Sequence, residues 1–166
     1  MEKHKILFVC LGNICRSPAA QGILQAIVDE SGESDRWVID SAGTYGGHAG
    51  DLPDQRMRVH ARRRGLDLTH RSRRVTADDF SRFDLIVAMD RSNRDNLRRL
   101  APTVEDAAKV VEMIDYVKTP CTRYDHIPDP YYEGAEGFEL VLDLLQDSCR
   151  NLYNHITKDK QTRWLN

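Results

Sequence analysis

A chain of 166 residues is long enough for one ordinary domain with a real core, and a formal net charge of -2 with 30% charged residues carries no overall bias toward nucleic acid or a membrane surface. No Pro/Gly/Ser-rich linker divides it, so residues 1–166 are expected to form a single domain. Four cysteines, Cys10, Cys15, Cys121 and Cys149, are too sparse for a secreted disulfide scaffold, and the absence of a CxxC pair gives no signal for a structural zinc site.

The basic N-terminus, Met1 to Lys5, precedes an apolar run from Ile6 to Leu11 that is short for a signal-peptide core and too short for a membrane span. It reads as a strand in a cytoplasmic protein. Ile6-Leu7-Phe8-Val9 is apolar throughout, as in a strand buried on both faces of a parallel sheet. Pro18 suits the first turn of a helix, and Ala20, Ile23, Leu24, Ile27 and Val28 continue it at helical spacing until Ser31-Gly32. Trp37-Val38-Ile39 predicts a second strand running into Asp40-Ser41-Ala42-Gly43-Thr44, after which Gly46, Gly47 and Gly50 mark a loop.

Asp54 is placed to cap a helix that runs through Arg64 and ends at Gly65, and Thr76 to Ser81 signals a shorter one. Leu85 to Met89 predicts the third strand, Asp90 to Leu100 a polar helix, and Lys109 to Ile114 a fourth, weaker strand. From Asp115 to Tyr132 the chain is irregular, with Pro120, Pro128 and Pro130, which makes it a functional-loop candidate. Phe138, Val141, Leu142, Leu145, Cys149, Leu152 and Ile156 then lie along one face of a long closing helix. The alternation predicts a three-layer α/β sandwich, a four-stranded parallel sheet with helices on both faces.

The chemistry is expected between the first strand and the first helix, in Cys10-Leu11-Gly12-Asn13-Ile14-Cys15-Arg16-Ser17-Pro18. The C-x5-R spacing of Cys10 and Arg16 is weak by itself in a chain with four cysteines and many arginines. Its place at the carboxyl end of a buried strand, where open α/β sheets bind ligands, strengthens it. A helix N-terminus and a guanidinium both favour a thiolate at Cys10 over the thiol. Arg16 can bind two oxygens of a phosphate with its planar fork while N–H groups from Leu11 to Ser17 fill the remaining lone pairs, and Gly12 lets the backbone curl close to the ligand.

Three stretches, Cys10 to Pro18, Asp40-Ser41-Ala42-Gly43-Thr44 and Asp129-Pro130-Tyr131-Tyr132, resemble the three signatures of the low-molecular-weight protein tyrosine phosphatases. Weaker matches at Thr69-His70 and at Met89 to Asn93 extend the resemblance over nearly the whole chain. It implies Cys10 as nucleophile, a phosphocysteine intermediate, Arg16 and the loop from Leu11 to Ser17 as the phosphate cradle, Asp129 as general acid and then base, and no metal or other cofactor. It also implies Asn13, Ser17, Ser41 and His70 as support for the loop, with Asp90 as a helix cap that steadies the same network. Implied partners are phosphotyrosine-containing protein substrates, with no membrane and no nucleic acid, and the protein itself is expected to be a monomer. Cys15 reads either as a partner for a reversible disulfide with Cys10 or as a small buried residue.

The rim departs from the pattern. Bacterial members of the family carry an aromatic residue just before a histidine in the loop after the second strand, whereas here Gly47 precedes His48, leaving Tyr45 or His48 to supply part of the wall opposite Tyr131 and Tyr132. The basic segment Arg56, Arg58, His60, Arg62, Arg63, Arg64, His70, Arg71, Arg73 and Arg74, offset within its span by Asp67, reads as a device steering acidic phosphopeptides, as a nucleic-acid contact or as a solvated helix face followed by a polar loop. Alternatives on the same fold are a protein-arginine phosphatase, against which Ile14 argues, and a thiol-dependent arsenate reductase, against which the lack of cysteines between Cys15 and Cys121 argues. A non-enzymatic anion- or nucleic-acid-binding module is a further alternative.

Overall fold

The computed structural model describes residues 2–118 and 124–163, with side chains up to residue 158. Four strands, β1 (His4–Cys10), β2 (Trp37–Gly43), β3 (Leu85–Ala88) and β4 (Val110–Glu112), form one all-parallel sheet in the order β2-β1-β3-β4. The helices are α1 (Arg16–Glu30), α2 (Gln55–Arg62), α3 (Asp79–Arg82), α4 (Arg91–Leu100), α5 (Val104–Ala107) and α6 (Ala135–Arg163).

Alternation along β1 divides the core. Ile6, Phe8 and Cys10 face a cluster with Ala20, Ile23 and Leu24 of α1 and Phe138, Leu142 and Leu145 of α6, whereas Leu7 and Val9 face Phe80 of α3 and Leu97 of α4. Both faces of the sheet are therefore covered, as the expected sandwich requires. Each large side chain buried here contributes roughly 1.5–3 kcal/mol relative to exposure, which is why the apolar strands tolerate no solvent face. No helix among the described residues is long and apolar enough to cross a membrane.

The strand order places β1 between β2 and β3, so the chain leaves β1 for one side of the sheet and later returns on the other. The carboxyl end of β1 is thus the switch point, and Cys10 is its last residue. The closing helix is as expected, with Phe138, Val141, Leu142, Leu145, Cys149 and Leu152 buried. β4 is shorter than the predicted span, because Met113–Tyr116 turns into a 3-10 helix against α6. α5 carries no apolar repeat, and only its cap, the Thr103 hydroxyl accepting from the Asp106 N–H at 3.0 Å, could have marked it. Pro120 and Cys121 of the predicted irregular segment lie outside the described residues.

One glycine is dictated by the loop that follows β1. A Cβ on Gly43, the last residue of β2, would stand 2.7 Å from the Leu11 carbonyl oxygen and 3.1 Å from the Asn13 nitrogen, both backbone atoms. Backbone cannot rotate out of the way as a side-chain tip can. Gly43→Ala should therefore cost about 1–3 kcal/mol, read as a lower urea midpoint with an unchanged m-value.

Candidate active site

The loop from Cys10 to Arg16 is held by its carbonyls. Those of Cys10 and Leu11 accept from the N–H groups of Thr44 (3.0 Å) and Tyr45 (2.9 Å), that of Gly12 from the Ser72 hydroxyl (3.0 Å), and that of Ile14 from the Asp54 N–H (2.8 Å). A trans peptide carries its N–H opposite its C=O, so the N–H groups of Leu11, Gly12, Asn13 and Cys15 point the other way. Leu11, Gly12 and Cys15 line a cavity of about 210 Å³ together with Cys10, Ile14, Arg16, Tyr45, His48, Asp129, Tyr131 and Tyr132. α1 opens from the same loop with no side-chain cap, which leaves the donors of its first turn to a ligand.

Asn13 sets the curl. Its φ of 57° is left-handed, a conformation asparagine tolerates better than other residues with a Cβ, and its side chain uses all its hydrogen-bonding capacity. The side-chain oxygen accepts from the Arg73 N–H at 3.1 Å and from His70 Nε2 at 3.0 Å, while the amide donates to Ser17 Oγ at 2.8 Å and Ser41 Oγ at 2.9 Å. A backbone N–H can only donate, so the Asn13 atom facing Arg73 is the oxygen and the network has one direction. The Ser41 hydroxyl donates to Gln21 Oε1 at 2.6 Å, and the Ser17 hydroxyl, already accepting from Asn13, lies 3.0 Å from Cys10 Sγ and 3.4 Å from the Ala42 carbonyl oxygen. Asn13, Ser17, Ser41 and His70 are thus brought together as expected.

Asp90 does more than the sequence suggested, and elsewhere. One carboxylate oxygen caps α4 by accepting from the Asn93 N–H at 2.8 Å, and the other accepts from Arg16 Nη1 at 2.7 Å. It steadies the arginine and not the Asn13 network. Burial opposes the charge on Arg16, but Cys10, Asp90 and Asp129 together raise its pKa above the ordinary arginine value. The same Nη1 donates to the Ile127 carbonyl at 3.0 Å, and Nη2 lies 3.6 Å from Asp129 Oδ2. Ile127, fully buried with its N–H on the Met89 carbonyl at 2.9 Å, pins the segment that carries Asp129. Sequence reasoning missed it, although a lone isoleucine within Asp125-His126-Ile127-Pro128-Asp129 was a visible signal.

The rim needs one correction. Gly47 does not line the cavity; Tyr45 does, because its ring fills the space a residue-47 side chain would need, with a Cβ there falling 2.2 Å from the ring Cζ. His48 meets Tyr45 edge-on at 6.2 Å between ring centroids, and its Cδ2 stands 3.2 Å from where a Gly12 Cβ would be. On the opposite side Tyr131 and Tyr132 pack edge to face at 4.9 Å, with Tyr132 92% exposed. Arg56 fastens that wall: it grips Asp54 at 2.9 and 3.1 Å, donates to the Tyr131 carbonyl at 3.0 Å and lies over the Tyr131 and Phe138 rings.

Several arginines of the basic segment are paired with acids. Arg64 pairs with Glu139 and Asp143 and Arg73 with Asp40 and Asp79, while His60 Nδ1 lies 2.7 Å from Glu139 Oε1. Among the remaining thiols, Cys15 is a free buried thiol whose pKa is pushed up by burial and by the Asp54 charge, and Cys149 is a free thiol packed under α1 near the Ala20 carbonyl. Cys10 is also a free thiol.

A thiol at a strand end within an oriented anion cradle, with a buried arginine beside it and a carboxylate over the mouth, defines a cysteine-dependent phosphate-ester hydrolase on an α/β sandwich. The chain belongs to the low molecular weight phosphotyrosine protein phosphatase family, whose model matches residues 5–162. It is 46% identical over 155 residues, 93% of this chain and 98% of the relative, to slr0328 of Synechocystis sp., provisionally named a low molecular weight protein-tyrosine-phosphatase. The human low molecular weight phosphotyrosine protein phosphatase is 37% identical over 150 residues, 87% of this chain and 90% of the relative. A crystal structure of a protein tyrosine phosphatase from Entamoeba histolytica with Hepes in its active site superposes with a TM-score of 0.90 at 39% identity, covering 95% of this chain and 99% of that one.

His70 makes the loop support sensitive to acid. Burial lowers its pKa below the ordinary 6.5, with Arg73 adding to the effect and Asp40 opposing it. As pH falls below 6.5 the unfolded chain takes up the proton first, so this contribution is complete above that value and is lost as pH drops through the folded pKa. Urea midpoints measured from about pH 8 to about pH 5 should fall less steeply in His70→Gln than in the unsubstituted protein.

Proposed function

We propose that this protein hydrolyses phosphotyrosine in proteins, and aryl phosphate monoesters generally, through a phosphocysteine on Cys10. The observation that carries the reading is the pairing of Cys10 with the Ser17 hydroxyl at 3.0 Å inside the cradle that Arg16 completes. From there the hydroxyl can donate a hydrogen bond to the sulfur that attacks in the first step and leaves in the second. In-line attack forms the S–P bond as the P–O bond to the phenolate breaks. Arg16 and the loop N–H groups of Leu11 to Ser17 hold the equatorial oxygens as their charge redistributes.

Asp129 supplies the proton to the departing phenolate. Its segment is tethered through Ile127 to both Met89, the residue after β3, and Arg16, so the acid and the phosphate cradle share one anchor. Asp129 then takes a proton from the water that attacks phosphorus, and the S–P bond breaks to release inorganic phosphate and the Cys10 thiolate. Tyr45, His48, Tyr131 and Tyr132, with Ile14 on the wall, favour a flat apolar ring between catalyst and solvent over a guanidino group. That favours phosphotyrosine over phosphoarginine.

Cys10→Ser should abolish turnover of a phosphotyrosine peptide; retained activity would remove Cys10 as nucleophile. Asp129→Asn should lower kcat/KM, which reports the first step, by about 10²–10⁴ on phosphotyrosine and by much less on p-nitrophenyl phosphate, whose leaving group departs without a proton, while kcat falls on both because the shared hydrolysis of the phosphocysteine loses its base. Equal losses of kcat/KM on both would remove Asp129 as the acid. Tyr45→Ala should raise KM for aryl phosphates several-fold with little change in kcat, checked by steady-state kinetics with a phosphoarginine peptide in parallel.

A further inference from the structure

A second groove lies behind the wall of the catalytic cavity. It has a volume of about 650 Å³ and is lined by Thr44, Arg74, Val75, Thr76, Asn96, Arg99 and Leu100. The strap Thr44-Tyr45-Gly46 separates the two. The Thr44 N–H is bonded to the Cys10 carbonyl at 3.0 Å while Thr44 also lines the groove, Tyr45 lines the catalytic cavity, and a Cβ on Gly46 would sit 3.3 Å from Arg74 Cδ.

The groove is positive and lacks internal compensation. No carboxylate lines it. Arg73, one residue away from Arg74, is gripped by Asp40 and Asp79, but Arg74 has no acidic partner among the described residues. Arg99, brought alongside from α4, donates to the Asn96 side-chain oxygen at 2.7 Å and has no acidic partner among the described residues. The Thr44 hydroxyl is buried in the wall and has no hydrogen-bond partner, although a buried polar atom ordinarily finds one. Two guanidinium groups without an acidic partner suit an anion with several acceptor oxygens; the Thr76 hydroxyl beside them already donates to Asp79 at 3.5 Å. The sequence showed Arg74 only as one of ten basic groups; folding pairs off Arg56, Arg64 and Arg73 and sets Arg99 in their place.

We propose that this groove receives an acidic side chain of the peptide that carries the phosphotyrosine, a subsite that selects substrates with a carboxylate near the phosphorylated residue. The proposal rests on the phosphotyrosine reading above. An extended peptide seated with its phenyl ring between Tyr45 and Tyr131 has only the strap to cross before meeting Arg74 and Arg99. Electrostatic complementarity of this kind acts on selectivity and encounter rate, and leaves the chemical step alone.

The test compares the unsubstituted chain with an Arg74→Gln, Arg99→Gln double variant. The substrates are p-nitrophenyl phosphate, a phosphotyrosine peptide flanked on both sides by Glu, and the same peptide with Gln for Glu. The unsubstituted protein should favour the Glu peptide in kcat/KM by roughly fivefold at low salt, and the preference should shrink at about 0.5 M salt. In the double variant the preference should vanish while p-nitrophenyl phosphate turnover stays unchanged. Equal use of the two peptides by the unsubstituted protein, or a preference that survives in the double variant, overturns the proposal. Peptide Kd values on the Cys10→Ser protein, with and without the two arginine substitutions, read the same preference without turnover. Absence of aryl phosphate hydrolysis by the unsubstituted chain thus counts against the function alone, and the Kd ratio still judges the groove. Single-stranded RNA that competes for the groove more strongly than the Glu peptide would assign it to nucleic acid and also overturn the proposal.

Discussion

The structure turns on the left-handed backbone at Asn13. A residue with a Cβ pays about 1–2 kcal/mol for that conformation, and four side-chain hydrogen bonds to Ser17, Ser41, His70 and Arg73 offset it. The same bonds tie the loop to α1, to the end of β2 and to the segment before α3. Because the curl is held from three directions, the loop carbonyls are committed outward and Cys10 and Arg16, six positions apart, share one cavity. Gly43 lets β2 approach closely enough for this.

A second constraint is the burial of the Arg16 guanidinium, only 3% exposed. A buried cation is tolerated when it is paired and hydrogen-bonded, and here the partners are also parts of the apparatus. Asp90 links Arg16 to the start of α4, and Ile127 links it to the segment bearing Asp129. The proposed acid therefore stands at a defined place over the cradle although it arrives from a proline-rich stretch without secondary structure.

The strands were legible as apolar runs, α1 and α6 because their apolar residues repeat at helical spacing, and α4 as a polar stretch opened by Asp90. The spans of β4 and α5 were not, since three or four residues carry too little periodicity to outweigh context. The role of Asp90 was half legible: a cap is a local event written in Asp90 to Asn93, but its second oxygen answers to Arg16, 74 positions away. At the rim, Gly47 read as a missing ring, and the ring is present as Tyr45, two residues earlier and folded back across the glycine. A side chain's direction depends on loop dihedrals that three nearby glycines leave open.

Order along the chain was enough for the sheet, for the loop at the end of its first strand and for the chemistry proposed for Cys10 and Arg16, because these depend on local apolar runs and on a motif whose residue types carry their own reactivity; the role proposed for Asp129 came from the family resemblance alone. Only the tertiary structure decided which charges remain free. Arg56, Arg64 and Arg73 find acids, some more than 70 positions away, whereas Arg74 and Arg99 meet across a groove with none. Ion pairing is a matter of distance in space, and distance in space is what a linear order of residues does not contain.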